Sequence, residues 1–140
     1  MARTPTFKLA DTAQQVVGGF LLAGPFVVTE EVWVLARNMS WAHAAVTAAI
    51  VFAIGYGALY EADDDRDPDR EAEIIGVPLR FVSLMMVSFG SVAVLALTLT
   101  APSTFLADLA TPERARVTVR AVSVGAIFSV VGAATADSVF

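Results

Sequence analysis

Glu30 and Glu31 close an apolar run that carries no charge over 16–28 and reads Gly24-Pro-Phe-Val-Val-Thr-Glu-Glu-Val-Trp33 at its end. A carboxylate within an apolar membrane span costs about 2.5–3.5 kcal/mol at the centre, so each one needs a reason. Two readings are open: both acids reach the headgroups, or at least one turns toward protein. Carboxylates near a helix C-terminus oppose the macrodipole. Pro25 also removes the amide bond to the Leu21 carbonyl, and the kink it permits can turn the segment inward. In one continuous helix the two acids point about 100 degrees apart. Glu30 would then share a face with Gly19 and Ala23, and Glu31 with Phe20 and Gly24, both faces small enough for close helix approach.

The expected counter-charge is Arg120, about two turns into the last apolar stretch, with Arg116 one turn before it. A buried guanidinium favours a planar carboxylate partner, so Arg120 is expected to pair with Glu30 or Glu31. Thr29 precedes the two acids. His43, the single histidine, lies near the same turn and reads as an interfacial imidazole or, beside two glutamates, as a proton-responsive group. At the opposite rim Asp137 ends a series of small residues recurring every four positions, Ala121, Gly125, Ser129 and Ala133, which reads as a packing seam or a pathway lining. Asp137 is expected to meet Arg80.

These residues must be held by apolar helices. Hydrophobic residues make up 56% of the 140-residue chain and the mean hydropathy is +0.68. Four apolar stretches approach the roughly 20 residues that a bilayer core of about 30 Å requires. The expected fold is an all-α, four-span transmembrane bundle of two hairpins, a single domain over 1–140. Its spans fall at about 12–36, 41–60, 74–100 and 113–140. Ser40 reads as the N-cap of the second helix, and Thr111-Pro-Glu113 as the start of the last. Trp33 and Trp41 suggest an aromatic belt at one surface, with Tyr56 and Tyr60 at the other. The first stretch lacks a well-placed small-residue cleavage site and reads as a retained span rather than a signal peptide. A slim excess of arginine and lysine places both termini on the cytoplasmic side of the cell membrane.

The connections are acidic. The run 61–73 holds eight carboxylates against two arginines, and Lys8 is the only lysine. It reads as a solvated loop. A hand-type calcium loop would need a glycine turn and a final glutamate at its own spacing, which are missing; a docking site for a protein partner is the other alternative. Acid-rich, lysine-poor loops suggest a salt-adapted, halophilic habitat. With no cysteine, disulfides and thiolate sites are excluded.

The segment Gly18-Gly-Phe-Leu-Leu-Ala-Gly-Pro-Phe-Val-Val-Thr-Glu-Glu-Val-Trp33 resembles a family of uncharacterised prokaryotic integral membrane proteins, domain of unknown function 2391. There a Gly-rich helix runs into Thr-x-Glu-x-Trp or Pro-Thr-Glu-Glu. Thr29, Glu31 and Trp33 match the first form and Thr29, Glu30 and Glu31 the second, with Pro25 shifted. A further likeness, Val119-Arg-Ala-Val-Ser-Val-Gly-Ala126, departs from the family by placing Arg120 at a glutamine and Ser123 at a proline. Longer members carry about twice this length, which implies that a short form dimerises.

No metal triad, nucleophile with a histidine base, phosphate loop or cofactor motif is present, so an enzyme is not expected and neither is a nucleic-acid partner. The expected function is a small homo-oligomeric channel or transporter for protons or small ions, using Glu30, Glu31, Arg120 and His43. The alternative is a non-conducting scaffold or accessory subunit whose charges fix helix pairing.

Overall fold

A computed structural model describes residues 9–61, 73–74 and 77–139. Among these residues six α-helices carry the fold: α1 (Leu9–Val27), α2 (Glu30–Asn38), α3 (Trp41–Tyr56), α4 (Leu79–Thr98), α5 (Ala101–Phe105) and α6 (Thr111–Val139). A π-helical turn, Gly57–Glu61, extends α3, and a two-residue antiparallel ladder, β1 (Glu73–Ile74) with β2 (Val77–Pro78), leads into α4. The acidic run expected as a loop lies outside the described residues apart from its ends, Glu61 and Glu73.

Among the described residues, three helical segments are long and apolar enough to cross a membrane: Trp41–Tyr60, Leu79–Thr98 and Thr111–Asp137. The fourth expected span is two helices, because α1 and α2 meet at an 81° bend. Pro25 sits inside α1, but the chain turns beyond it, at Val28 and Thr29. Carbonyls freed at such a break need partners. The Thr29 amide and hydroxyl both donate to the Phe26 carbonyl, at 3.2 and 2.8 Å, and Trp33 Nε1 donates to the Val27 carbonyl at 3.0 Å. Trp33 is accordingly buried at 1% exposure, a core anchor rather than half of a surface belt, while Trp41 is 53% exposed.

Helix α6 is the axis of the fold. More than half of its apolar window is buried (56%), against 22% for the segment of α3 and 33% for α4. Contacts give the directions. Gln15, Gly18, Gly19 and Phe26 of α1 meet Asp137, Gly132, Ser129 and Phe128 of α6, so these two helices run antiparallel. Arg80 and Val92 of α4 meet Asp137 and Gly125, again antiparallel to α6, and Trp41 and Gly55 of α3 meet Arg120 and Val130, parallel to it. Helix α1 thus packs on α6 and α4, and α3 on α6 and α4. The hairpin partnership expected between the first two stretches is replaced by this arrangement around α6.

Glycine permits the closest crossing. A Cβ on Gly18 would collide with the Gly132 carbonyl, and one on Gly132 with the Gly18 carbonyl, so the α1 and α6 backbones touch there. Two apolar clusters fill the rest. One joins Ala23, Val27, Trp33, Val92, Ala96 and Ala121 under α2; the other joins Val51, Leu59, Leu84, Ala126 and Val130 between α3, α4 and α6.

Candidate functional site

Where α1 and α4 begin and α6 ends, polar side chains from all three helices converge. Arg80 Nη1 pairs with Asp137 Oδ1 at 2.8 Å, and Arg80 Nη2 lies 3.3 Å from Asp11 Oδ2. The Arg80 and Asp137 side chains are 1% and 0% exposed. Gln15 Nε2 donates to Asp137 Oδ2 at 3.1 Å, Ser83 Oγ donates to Gln15 Oε1 at 2.6 Å, and Thr12 and Ser83 share a hydroxyl contact at 3.1 Å. Both oxygens of Asp137 are therefore engaged. Such a buried pair loses hydration and recovers it through geometry and further hydrogen bonds, which the amide and hydroxyls supply.

The pair of Asp137 with Arg80 forms as the sequence suggests, but four members of the network, Asp11, Thr12, Gln15 and Ser83, were not foreseen. Asp11, Gln15 and Gly19 recur every four residues on α1, in the spacing of the α6 series that ends at Asp137. That repeat is the signal that could have found them. It places Gly19 where added bulk would meet Ser91 and Ser129, and Ser129 Oγ donates to the Gly19 carbonyl at 3.1 Å.

At the opposite end the expected cluster does not assemble. Glu30 and Glu31 are exposed, bordered by Val34 and Leu35. The bend at Thr29 supplies the reason: it converts them from last-turn residues of a long helix into first-turn residues of α2. There the macrodipole favours carboxylates, and no cation partner is needed. Arg120 turns elsewhere. Its Nη1 donates to the carbonyls of Ala36 and Met39, capping the C-terminal end of α2, and its guanidinium lies 5.2 Å from the Trp41 ring centre. Arg116 pairs with Glu113 on its own helix. His43 completes a capping box with Ser40: the Ser40 amide donates to Nδ1 at 3.0 Å, and the His43 amide donates to Ser40 Oγ at 3.2 Å. Thr29 closes the bend, and Pro25 lies exposed four residues before it.

A second tie fastens this end. Arg37 grips both carboxylate oxygens of Asp108 at 2.6 and 3.0 Å and donates to the Phe105 carbonyl at 2.8 Å. The guanidinium contact holds the Asp108 carboxyl at about 2, well below its ordinary value. Trp33 stacks near Phe105, with centroids 6.0 Å apart. Helix α2 is thus strapped across the end of the bundle by α5 and the start of α6.

Between the two polar ends, aromatic and backbone contacts join α1 to α6. Phe26 and Phe128 stack at 3.7 Å between centroids, above the Gly18–Gly132 contact. The hydroxyls nearby bond to main-chain carbonyls: Ser88 to Leu84, Ser123 to Arg120 and Ser129 to Gly19. No group of three or more metal-ligating side chains occurs among the described residues.

Fold and site together define a class: an all-helical bundle of membrane-compatible helices with, among the described residues, a buried ion network at one end. Comparison with protein-family models, with characterised proteins and with solved structures returns no match.

Proposed function

We propose that this chain is a non-conducting integral membrane protein, an accessory or scaffold subunit whose buried charges fix helix pairing. The observation that carries the reading is the placement of the charges. Glu30 and Glu31 face outward, Arg120 is spent on capping α2, and Arg80 with Asp137 is locked among α1, α4 and α6. Stacked phenylalanines and touching backbones separate the two ends. A conducting path needs polar groups or water along its length.

Four crossings belong to this proposal, with α2 lying along one surface and both termini on the cytoplasmic side. Helix α1 alone has 19 residues, about 28 Å at 1.5 Å per residue, close to the hydrocarbon thickness. The acidic run 61–73 is then the element that meets a partner protein, and its charge suits a basic one. The relation to the domain of unknown function 2391 family and its implied dimer are part of the same proposal, resting on the Thr29, Glu30, Glu31 and Trp33 signature.

One observation favours a second reading. An arginine and an aspartate sealed in an apolar bundle also suit ion-coupled transport. Vesicles holding the purified chain under an imposed pH or sodium gradient separate the two. The scaffold reading expects dissipation no faster than in empty vesicles, and unchanged in Asp137→Asn. Faster dissipation by the wild type, lost in that variant, would establish transport instead.

A further inference from the structure

A lateral groove of about 510 Å³ opens between α3, α4 and α6. Its walls are Ala44, Ala45 and Ala48 on one side and Phe89, Ala93 and Val122 on the other. All three bounding helices belong to the membrane-compatible set, so in a bilayer this groove faces lipid rather than water. Alanine along α3 is what leaves the space.

One end of the groove differs in chemistry from the rest. Trp41 and Thr118 line it there, and the Arg120 guanidinium lies against the Trp41 ring. Among the described residues Arg120 bonds main-chain carbonyls and forms no ion pair, and its Nε is buried without a hydrogen-bond acceptor. Arg116 stands one turn away on the same helix face, half exposed, its charge shared with Glu113. Arg120, 9% exposed, thus places positive charge behind the amphipathic Trp41 of this rim, with the exposed Arg116 one turn before it, the pairing of groups that meets lipid headgroups at a membrane surface.

We infer that the groove is a binding site for one anionic glycerophospholipid. One acyl chain lies along the alanines of α3 toward Phe89 and Ala93, and the phosphate stands at the Trp41 rim facing Arg116 and Arg120. Charge complementarity selects an anionic headgroup over a zwitterionic one, and the apolar walls select a lipid over a free phosphate ion. The inference needs only that the helices stand in a bilayer, and it holds whether or not the chain conducts.

Native mass spectrometry of the full chain, released from mild detergent with equal amounts of phosphatidylglycerol and phosphatidylcholine, tests it. The wild type is expected to retain one phosphatidylglycerol in preference to phosphatidylcholine by about five-fold, in line with arginine–lipid attraction. Ala45→Phe, which fills the groove from an exposed position, is expected to lose the bound lipid. Arg116→Gln is expected to reduce the preference while leaving a lipid bound. Arg120→Gln should abolish the preference; since it also uncaps α2, the first two variants decide the matter if it does not fold. Equal retention of the two lipids, or retention unchanged in Ala45→Phe, overturns the proposal. So does a lipid-free dimer that Ala45→Phe converts to monomer, because the groove would then hold a second copy of the chain.

Discussion

Arg80 and Asp137 form an ion pair whose side chains are 1% and 0% exposed. Removing one partner of a buried pair costs up to about 3–5 kcal/mol, less where another charge remains, as Asp11 does beside Arg80. Asp137→Asn and Arg80→Gln are therefore each expected to lower stability in detergent by up to that amount, read from thermal unfolding. The double variant Arg80→Met with Asp137→Leu, which removes both charges, is expected to recover most of the loss. A double variant as unstable as the singles would point to additional partners that hold each charge separately. Arg37 and Asp108 make a different prediction, since their contact is open to solvent. The Asp108 carboxyl is lowered from its ordinary 3.8 to about 2 by Arg37. A lowered folded value means that the contact contributes fully above about pH 4 and is lost as pH falls toward 2. Carboxyl-detected NMR should find Asp108 titrating near 2 in the wild type and returning toward the ordinary range in Arg37→Gln.

Elements were unequally legible from sequence, and the reasons are physical. Local chemistry read well. Ser40 caps α3 and Thr111 opens α6, because a cap depends on residues within one turn of itself. The bend between α1 and α2 read poorly. Pro25 marks a weak point, but the turn falls at Thr29, where the freed Phe26 and Val27 carbonyls find a hydroxyl and an indole from residues downstream. Shifting that break by a few residues reverses the helix end to which Glu30 and Glu31 belong, and with it the need for a counter-ion. The α1–α6 crossing makes an element-scale test. A Cβ at Gly132 would strike the Gly18 carbonyl, whereas one at Gly24 would meet nothing within 4 Å. Gly132→Ala is expected to cost about 1–3 kcal/mol by forcing the backbones apart, and Gly24→Ala to be neutral or stabilising by up to about 1 kcal/mol through helix propensity. Unfolding in a single detergent compares the two directly, and equal effects would mean that the crossing is loose.

Over the whole molecule, the open choice is between a first segment that crosses the bilayer and one that dips in and returns. The contacts bear on it. Helix α1 runs beside α4 in the same direction and against α6 in the opposite one, from the Asp11–Arg80–Asp137 network at one end to the Phe26–Phe128 stack and α2 at the other. Because α4 and α6 each qualify as crossing helices, a partner that follows them side by side should share their depth. Its beginning and α2 then lie at opposite surfaces. The native chain has no cysteine, so single cysteines report sidedness without background. Ala10→Cys, exposed at the start of α1, and Asn38→Cys, exposed at the end of α2, are expected to react with an impermeant maleimide from opposite faces of sealed vesicles. Ala107→Cys, beside the Arg37–Asp108 tie, should label from the same face as Asn38→Cys. Labelling of Ala10→Cys and Asn38→Cys from one face would instead make α1 and α2 a re-entrant pair, and the bundle a three-crossing one.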